Sequence, residues 1–219
     1  MPSHTPVVTL DYHDFLIAAH SILTSVAALI AAPAAILIGR YFRSRSWWFK
    51  AHVTLQTFTA IFVITGTALS LVSVVHNGNG NQLTGRLKDP HHDLGVSILV
   101  LFLLQFVFGV VAHYTHSEGH SKGSAFPTLT TPKNPLRHVH VVFGIVMTAL
   151  LYAGVKTGMD EWDKVSDSGT RVPKGIRTAY WVLFGLAVAA YLFGWILEPI
   201  RRGSERDSVD AASLEKVEE

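Results

Sequence analysis

Uncharged segments alternate with short polar segments along this chain. Aspartate, glutamate, lysine and arginine are absent from five stretches, which are residues 15–39, 51–75, 94–112, 141–155 and 178–197. The fourth stretch extends back to residue 138 when the histidines are counted as neutral. A bilayer core about 30 Å thick needs about 20 helical residues to cross it. The pattern therefore predicts an all-α integral membrane protein with five transmembrane helices within residues 12–201.

Basic residues indicate how such a protein is oriented in the membrane. The loops after the first, third and fifth stretches hold nine of the 18, whereas the other two loops mix basic with acidic residues; the nine are Arg40, Arg43, Arg45, Lys50, Lys122, Lys133, Arg137, Arg201 and Arg202. Because cytoplasmic loops carry an excess of Lys and Arg, the N-terminal segment 1–11 is predicted to be extracytoplasmic. The polar tail 202–219 is then cytoplasmic, and its composition predicts disorder.

Composition excludes several classes of function. The chain has 219 residues, of which 49% are hydrophobic and 16% are charged, and its net charge is only +2. No basic surface suited to nucleic acid is expected from this balance. The absence of cysteine excludes disulfides, thiolate-bound iron–sulfur clusters and covalent haem attachment through C-x-x-C-H.

Four histidines lie near the starts of the first four stretches: His20, His52, His91 and His140. In an up-and-down bundle, His20 and His91 share one membrane face, and His52 and His140 share the other. Two facing imidazoles can ligate one haem iron axially, so the pattern predicts a four-helix bundle with two b-type haems. The helical rise predicts roughly 10–20 Å between the two levels.

Helical periodicity distinguishes these histidines from their neighbours. The stripe that starts at His91 contains Gly95, Gln105 and Gly109, whereas the stripe from His92 is bulky and apolar. Small and polar residues face the interior of membrane bundles, which favours His91. The same comparison favours His140 over His138. A glycine follows each chosen histidine by four residues, Gly95 and Gly144, and leaves room for a flat porphyrin.

The remaining histidines carry weaker signals. His113, His116 and His120 have a spacing that could bind zinc on a helix, but Gly119 and Gly123 favour a solvated loop. Pro33 predicts a kink in the first helix.

Short motifs resemble the cytochrome b561 family over residues from about 12 to 200. They are His20, His52-Val-Thr-Leu-Gln56, His91-His-Asp-Leu-Gly95, the mid-span Gln105, and His140-Val-Val-Phe-Gly144. The nearest branch is the fungal form in which such a domain follows an extracellular DOMON domain. That domain is absent from this sequence. The five stretches and the extracytoplasmic N-terminus match this branch rather than the six-span ascorbate branch.

The resemblance implies a dihaem oxidoreductase in membrane lipid. Such proteins pass electrons from a cytoplasmic small molecule, usually ascorbate, to monodehydroascorbate, a ferric chelate or an extracellular redox protein. Basic residues near the cytoplasmic haem hold ascorbate in this family, and the nearest equivalents here are Lys50, Arg43, Arg45 and Arg137. Positive-inside topology explains the same residues equally well. Arg86 and Lys88 are candidates for attracting an anionic acceptor on the other side.

Two other functional classes stay open from the sequence. One is a histidine-lined metal-ion transporter, although no span carries a mid-membrane Asp or Glu to offset the charge of a cation. The other is a haem-free helical anchor for partner proteins. The sequence also leaves a homodimer open.

Overall fold

The computed structural model describes residues 11–76, 89–118, 135–166 and 169–215 of the chain. Within these ranges the regular elements are helical: α1 Tyr12–Val26, a π-helical turn Ala27–Ala31, α2 Ala32–Tyr41, α3 Trp48–His76, α4 Pro90–Glu118, α5 Pro135–Val165 and α6 Lys174–Glu215. Several helix starts follow from local chemistry. Asp11 accepts the Asp14 N–H at α1, and Pro90 and Pro135 occupy the first positions of α4 and α5.

Among the residues that the structure describes, five helical segments are long and apolar enough to cross a membrane. In chain order these spans are Tyr12–Tyr41, Trp48–His76, Pro90–His113, His138–Lys164 and Lys174–Gly194. The first span consists of α1, the π-helical turn and α2 in one continuous rod. The predicted all-α bundle with five membrane helices is confirmed.

The first four spans associate as two antiparallel pairs. In the first pair, the Ser73 hydroxyl lies 2.6 Å from His13 Nδ1 near one end, and His52 reaches α2 near the other. In the second pair, His91 of α4 contacts Thr157 of α5. The rings of His20 and His91 join the two pairs at one end of the bundle.

An apolar core lies between the two ends of this bundle. All four spans contribute to it, through Ala27, Ala28, Ala32, Val63, Ile98, Phe102, Met147 and Leu151. Large apolar side chains such as Ile22, Val100 and Val142 are exposed on the outside, where lipid is their natural solvent.

The fifth span packs against the outside of the bundle. Its Tyr180 hydroxyl donates to the Tyr152 carbonyl of α5, while the Tyr41 hydroxyl of α2 donates to its Ala190 carbonyl. The α6 helix continues to Glu215, and the disorder of the tail 202–219 stays a prediction. Alanine, leucine, glutamate and arginine are good helix formers, and extending an existing helix avoids the unfavourable nucleation step.

Candidate cofactor site: two histidine pairs

His20 and His91 face each other at one end of the bundle. Their ring centroids are 6.2 Å apart and their planes are inclined by 80°. An iron atom between two imidazoles needs a centroid separation of about 6 Å, from two bonds of about 2 Å and a ring radius of about 1 Å on each side. The separation of this pair is therefore compatible with one shared metal.

Backbone carbonyls orient two of the four imidazoles. His20 Nδ1 lies 2.7 Å from the Gly66 carbonyl oxygen, and His52 Nδ1 lies 2.8 Å from the Ala35 carbonyl oxygen. A carbonyl oxygen only accepts, so Nδ1 carries the proton in both rings. The lone pair on Nε2 is then available to a metal. Partners of this kind commonly fix the tautomer and direction of metal-binding histidines.

A hydroxyl group, rather than a carbonyl, lies next to Nδ1 of His91. Its Nδ1 lies 3.0 Å from Thr157 Oγ1. The Thr157 hydroxyl donates its single proton to the Ala153 or Gly154 carbonyl, at 3.0 and 3.1 Å. With that proton on a carbonyl, the threonine oxygen accepts from His91 Nδ1, and this arrangement leaves Nε2 of the ring available as well.

His140 is held differently from the other three. Its Nδ1 is buried and has no hydrogen-bond partner among the residues that the structure describes. The Gln105 amide donates to the His140 backbone carbonyl at 2.8 Å, which fixes the main chain rather than the ring. An electrostatic interaction between His52 and His140 places these two side chains at the same end of the bundle.

A glycine on the neighbouring helix lies against each of the four imidazoles. A Cβ atom built on Gly158 would lie 2.9 Å from His91 Cε1, and one on Gly109 would lie 2.9 Å from His140 Cε1. The corresponding distances are 3.4 Å from Gly39 to His52 Nδ1 and 3.7 Å from Gly66 to His20 Nδ1. The sequence interpretation gave these four glycines no contact with an imidazole, although the inward stripe from His91 includes Gly109. Their signal is a glycine several turns after each histidine, on the same helical face.

The two glycines chosen from the sequence differ in their surroundings. A Cβ on Gly95 would meet nothing within 4 Å, so the backbone beside His91 is open. A Cβ on Gly144 would lie 2.9 Å from Gln105 Nε2. The room predicted at Gly144 is thus taken by the Gln105 side chain, which reaches across to bond the backbone of His140.

The two pairs lie at well-separated levels of the bundle. His52 and the glycine that contacts His20 are 14 positions apart on α3 (66 − 52 = 14), which is about 21 Å of helix. His91 and the glycine that contacts His140 are 18 positions apart on α4 (109 − 91 = 18), or about 27 Å. This is more than the separation expected from the sequence, because the first four spans are 24 to 30 residues long, whereas a span of about 20 residues was assumed.

Neighbouring histidines occupy other environments. The His92 ring lies 6.1 Å from that of His91, and its Nδ1 is buried with no hydrogen-bond partner in the described part of the chain. His138 is exposed. His113 stacks on Phe49 with 3.9 Å between ring centroids. The His116 side chain and His120 lie outside the described residues. Among the described residues, no group of three or more His, Cys, Asp or Glu side chains is placed to hold a metal ion.

Basic residues surround the His52/His140 end. Arg43, Arg45 and Lys50 are all exposed there, and the Arg43 Nε donates to the Gly39 carbonyl at 2.6 Å. Arg137 lies in the first turn of α5, but its side chain is outside the described set. Arg86 and Lys88 are also outside the described residues.

Asp89 fixes the helix start that carries His91. Its carboxylate accepts the His91 backbone N–H at 2.6 Å. Burial acts to raise the pKa of Asp89, but hydrogen bonds from Glu161 and from the His91 N–H lower that pKa by more. The carboxylate form that binds the helix start is therefore favoured.

Comparison with known proteins supplies a family. The model of a family described as eukaryotic cytochrome b561 matches residues 19–164, about two thirds of the chain. The match includes all four paired histidines and the four glycines that contact them. A search of curated proteins found no match.

Proposed function

Because the chain belongs to the cytochrome b561 family, for which transmembrane electron transfer through haem is the expected activity, we propose that it holds two b-type haems. His20 and His91 would bind one iron, and His52 and His140 would bind the other. A multi-pass membrane protein with one histidine pair near each end suits the transfer of electrons between the two faces of a bilayer.

One observation carries this proposal more than any other. Two imidazoles on different helices, His20 and His52, donate from Nδ1 to a backbone carbonyl and so present Nε2 as a free lone pair, and His91 Nδ1 lies 3.0 Å from the Thr157 hydroxyl. A histidine with a purely structural role has no need to keep Nε2 available. The donor set also fits haem b, since the chain has no cysteine for covalent attachment.

The protein's own groups hold and insulate the cofactors. Bound haem would supply reversible one-electron chemistry, which no amino-acid side chain here provides. The four imidazoles would hold the irons, the glycines allow the rings to approach the neighbouring backbone, and Thr157 contacts Nδ1 of His91 and orients that ring. The apolar core between the pairs excludes water from the region that electrons must cross.

The distribution of basic residues assigns the orientation of the protein in the membrane, and with it the direction of electron transfer. We assign the His52/His140 end to the cytoplasm because the exposed Arg43, Arg45 and Lys50 lie there. These cations, together with Arg137, would attract an acidic reductant of the ascorbate type. The opposite end would deliver electrons to monodehydroascorbate, a ferric chelate or a redox protein, and Arg86 and Lys88 would contribute to an anion site there.

Single histidine substitutions test this assignment. His20→Ala, His52→Ala, His91→Ala and His140→Ala should each lower the haem content of purified protein by one of two haems, whereas His92→Ala and His138→Ala serve as matched controls and should retain both. Loss of haem from His92→Ala but not from His91→Ala would show that the wrong residue of this pair was chosen. Retention of both haems by all four ligand variants would refute bis-histidine binding.

A further inference from the structure

The two antiparallel helix pairs use reciprocal contacts between histidine and glycine. His91 of α4 lies against Gly158 of α5, and His140 of α5 lies against Gly109 of α4. In both helices the histidine precedes the glycine by 18 positions (109 − 91 and 158 − 140). At about 3.6 residues per turn this spacing is about five full turns, so each histidine and glycine lie on the same face of their helix.

In the first span, the interval between the histidine and the glycine is one residue longer than in α4 and α5. His20 faces α3 at Gly66, and Gly39 faces α3 at His52. These two positions are 19 apart (39 − 20) rather than 18. In an uninterrupted α-helix the additional residue would rotate Gly39 by about 100° away from the face that His20 occupies.

A π-helical turn lies between these two residues. It comprises Ala27–Ala31, and the Ala32 N–H at its end donates to the Ala27 carbonyl, five residues back. An α-helix would bond four residues back, so a single π-helical turn accommodates one additional residue without changing the face that follows it. The turn therefore compensates for the nineteenth residue.

The contacts beyond the turn depend on this compensation. His52 receives two of them from α2: the Ala35 carbonyl accepts from Nδ1 at 2.8 Å, and Gly39 makes room beside the ring. Ala35 and Gly39 are four residues apart and share a face. A rotation of about 100° would remove both contacts together, leaving the His52 ring with no acceptor to fix its tautomer.

Local sequence explains why the turn forms here. Pro33 has no N–H, so the Leu29 carbonyl cannot receive the ordinary α-helical bond from it. Ala27, Ala28 and Ala31 of the turn are buried, and their small side chains allow the widened backbone to pack against its neighbours. Pro33 itself is also buried.

We propose that the π-helical turn sets the register of the first span, and that Pro33 is a positioning residue that holds His52 in its ligating orientation. The proposal rests on the proposed function, in that His52 is taken as an iron ligand. It assigns a role to a segment that supplies none of the proposed iron ligands.

Register can be tested by changing the number of residues in the turn. Deletion of Ala31 combined with Pro33→Ala should give a continuous α-helix in which the interval from His20 to Gly39 is 18. This variant should keep both haems and an unchanged low-spin electron paramagnetic resonance spectrum. Deletion of Leu101 is the matched control, since it shortens the equivalent interval of α4 to 17 and should lower the haem content from two to one.

Pro33→Ala alone completes the test. It permits the α-helical bond while keeping the additional residue, so it should lower occupancy of the His52/His140 haem, and the deletion of Ala31 should restore it. Loss of this haem from the deletion variant, to the extent seen on deleting Leu101, would overturn the register proposal. Full occupancy in Pro33→Ala would overturn the role of Pro33. Wild-type protein is measured in parallel, and only its failure to bind haem would count against the proposed function itself.

Discussion

Gly158→Ala is the substitution that most sharply tests how the His91 imidazole is positioned. The new Cβ would lie 2.9 Å from His91 Cε1 and 3.4 Å from His91 Nε2, the atom proposed to bind iron. Normal carbon contacts are about 3.5–4.0 Å, so the ring has to move by roughly 0.6–1 Å. The three heavy atoms nearest to this Cβ all belong to the His91 ring, so the movement falls on that ring.

The energy of this displacement can be bounded. Overpacking of this kind costs typically about 1–3 kcal/mol. Weakening the Nδ1 bond to Thr157 would add about 1 kcal/mol. Each 1.4 kcal/mol is a factor of ten, so the affinity for haem at this pair should fall by about 10- to 1,000-fold.

The assay is haem content per polypeptide, with redox titration to resolve the two haems. Gly158→Ala should lose the haem of the His20/His91 pair and keep the other. Gly185→Ala is the matched control, because its Cβ would meet nothing within 4 Å on the outer helix. Retention of both haems with an unchanged titration curve would refute the idea that Gly158 makes room for His91.

Three further predictions follow from the same contacts. Gly109→Ala should lower occupancy at the other pair more than Gly39→Ala does, since the nearest ring atom is at 2.9 Å in the first case and 3.4 Å in the second; equal loss, measured as haem content, would contradict the contact geometry. Thr157→Val removes the acceptor for His91 Nδ1 and should weaken haem binding by about 10- to 100-fold, while Thr157→Ser restores it; titration of haem-depleted protein measures the difference. Arg45→Ala and Lys50→Ala should raise the KM for ascorbate as electron donor without changing haem content, with an effect that diminishes as salt is added; a change in haem content with KM unaltered would assign these residues to structure instead.

Much of this architecture is readable from the sequence, because it depends on local periodicity. Charge-free length predicts the five spans, and the alternation of chain direction predicts which histidines share an end. The 3.6-residue period separates His91 from His92, and the structure places the His91 ring opposite His20.

Relations between helices were not predictable in the same way. In the sequence, Gly109 and Gly158 show no feature that distinguishes them from other small residues. Each contacts an imidazole only because α4 and α5 pack as an antiparallel pair. Gly144 shows the converse, since its local spacing predicts open room that the side chain of Gln105 occupies from another helix.

The π-helical turn is an intermediate case. Pro33 predicts a disturbance of the first helix, but proline alone does not distinguish a kink from a π-helical turn. The distinction depends on the bond from Ala32 to Ala27 and on how many residues the partner helix requires between His20 and Gly39. Comparing this interval with the matching intervals of α4 and α5 would have provided the missing signal.

The central claim is that one polypeptide holds two haems through paired histidines. Its most direct test is the pyridine haemochrome content of the purified wild-type protein, combined with spectra of the oxidised and dithionite-reduced forms. The account predicts two b-type haems per chain, both six-coordinate and low-spin. A protein that remains colourless when it is produced with added haem, or that binds a five-coordinate high-spin haem, would contradict it.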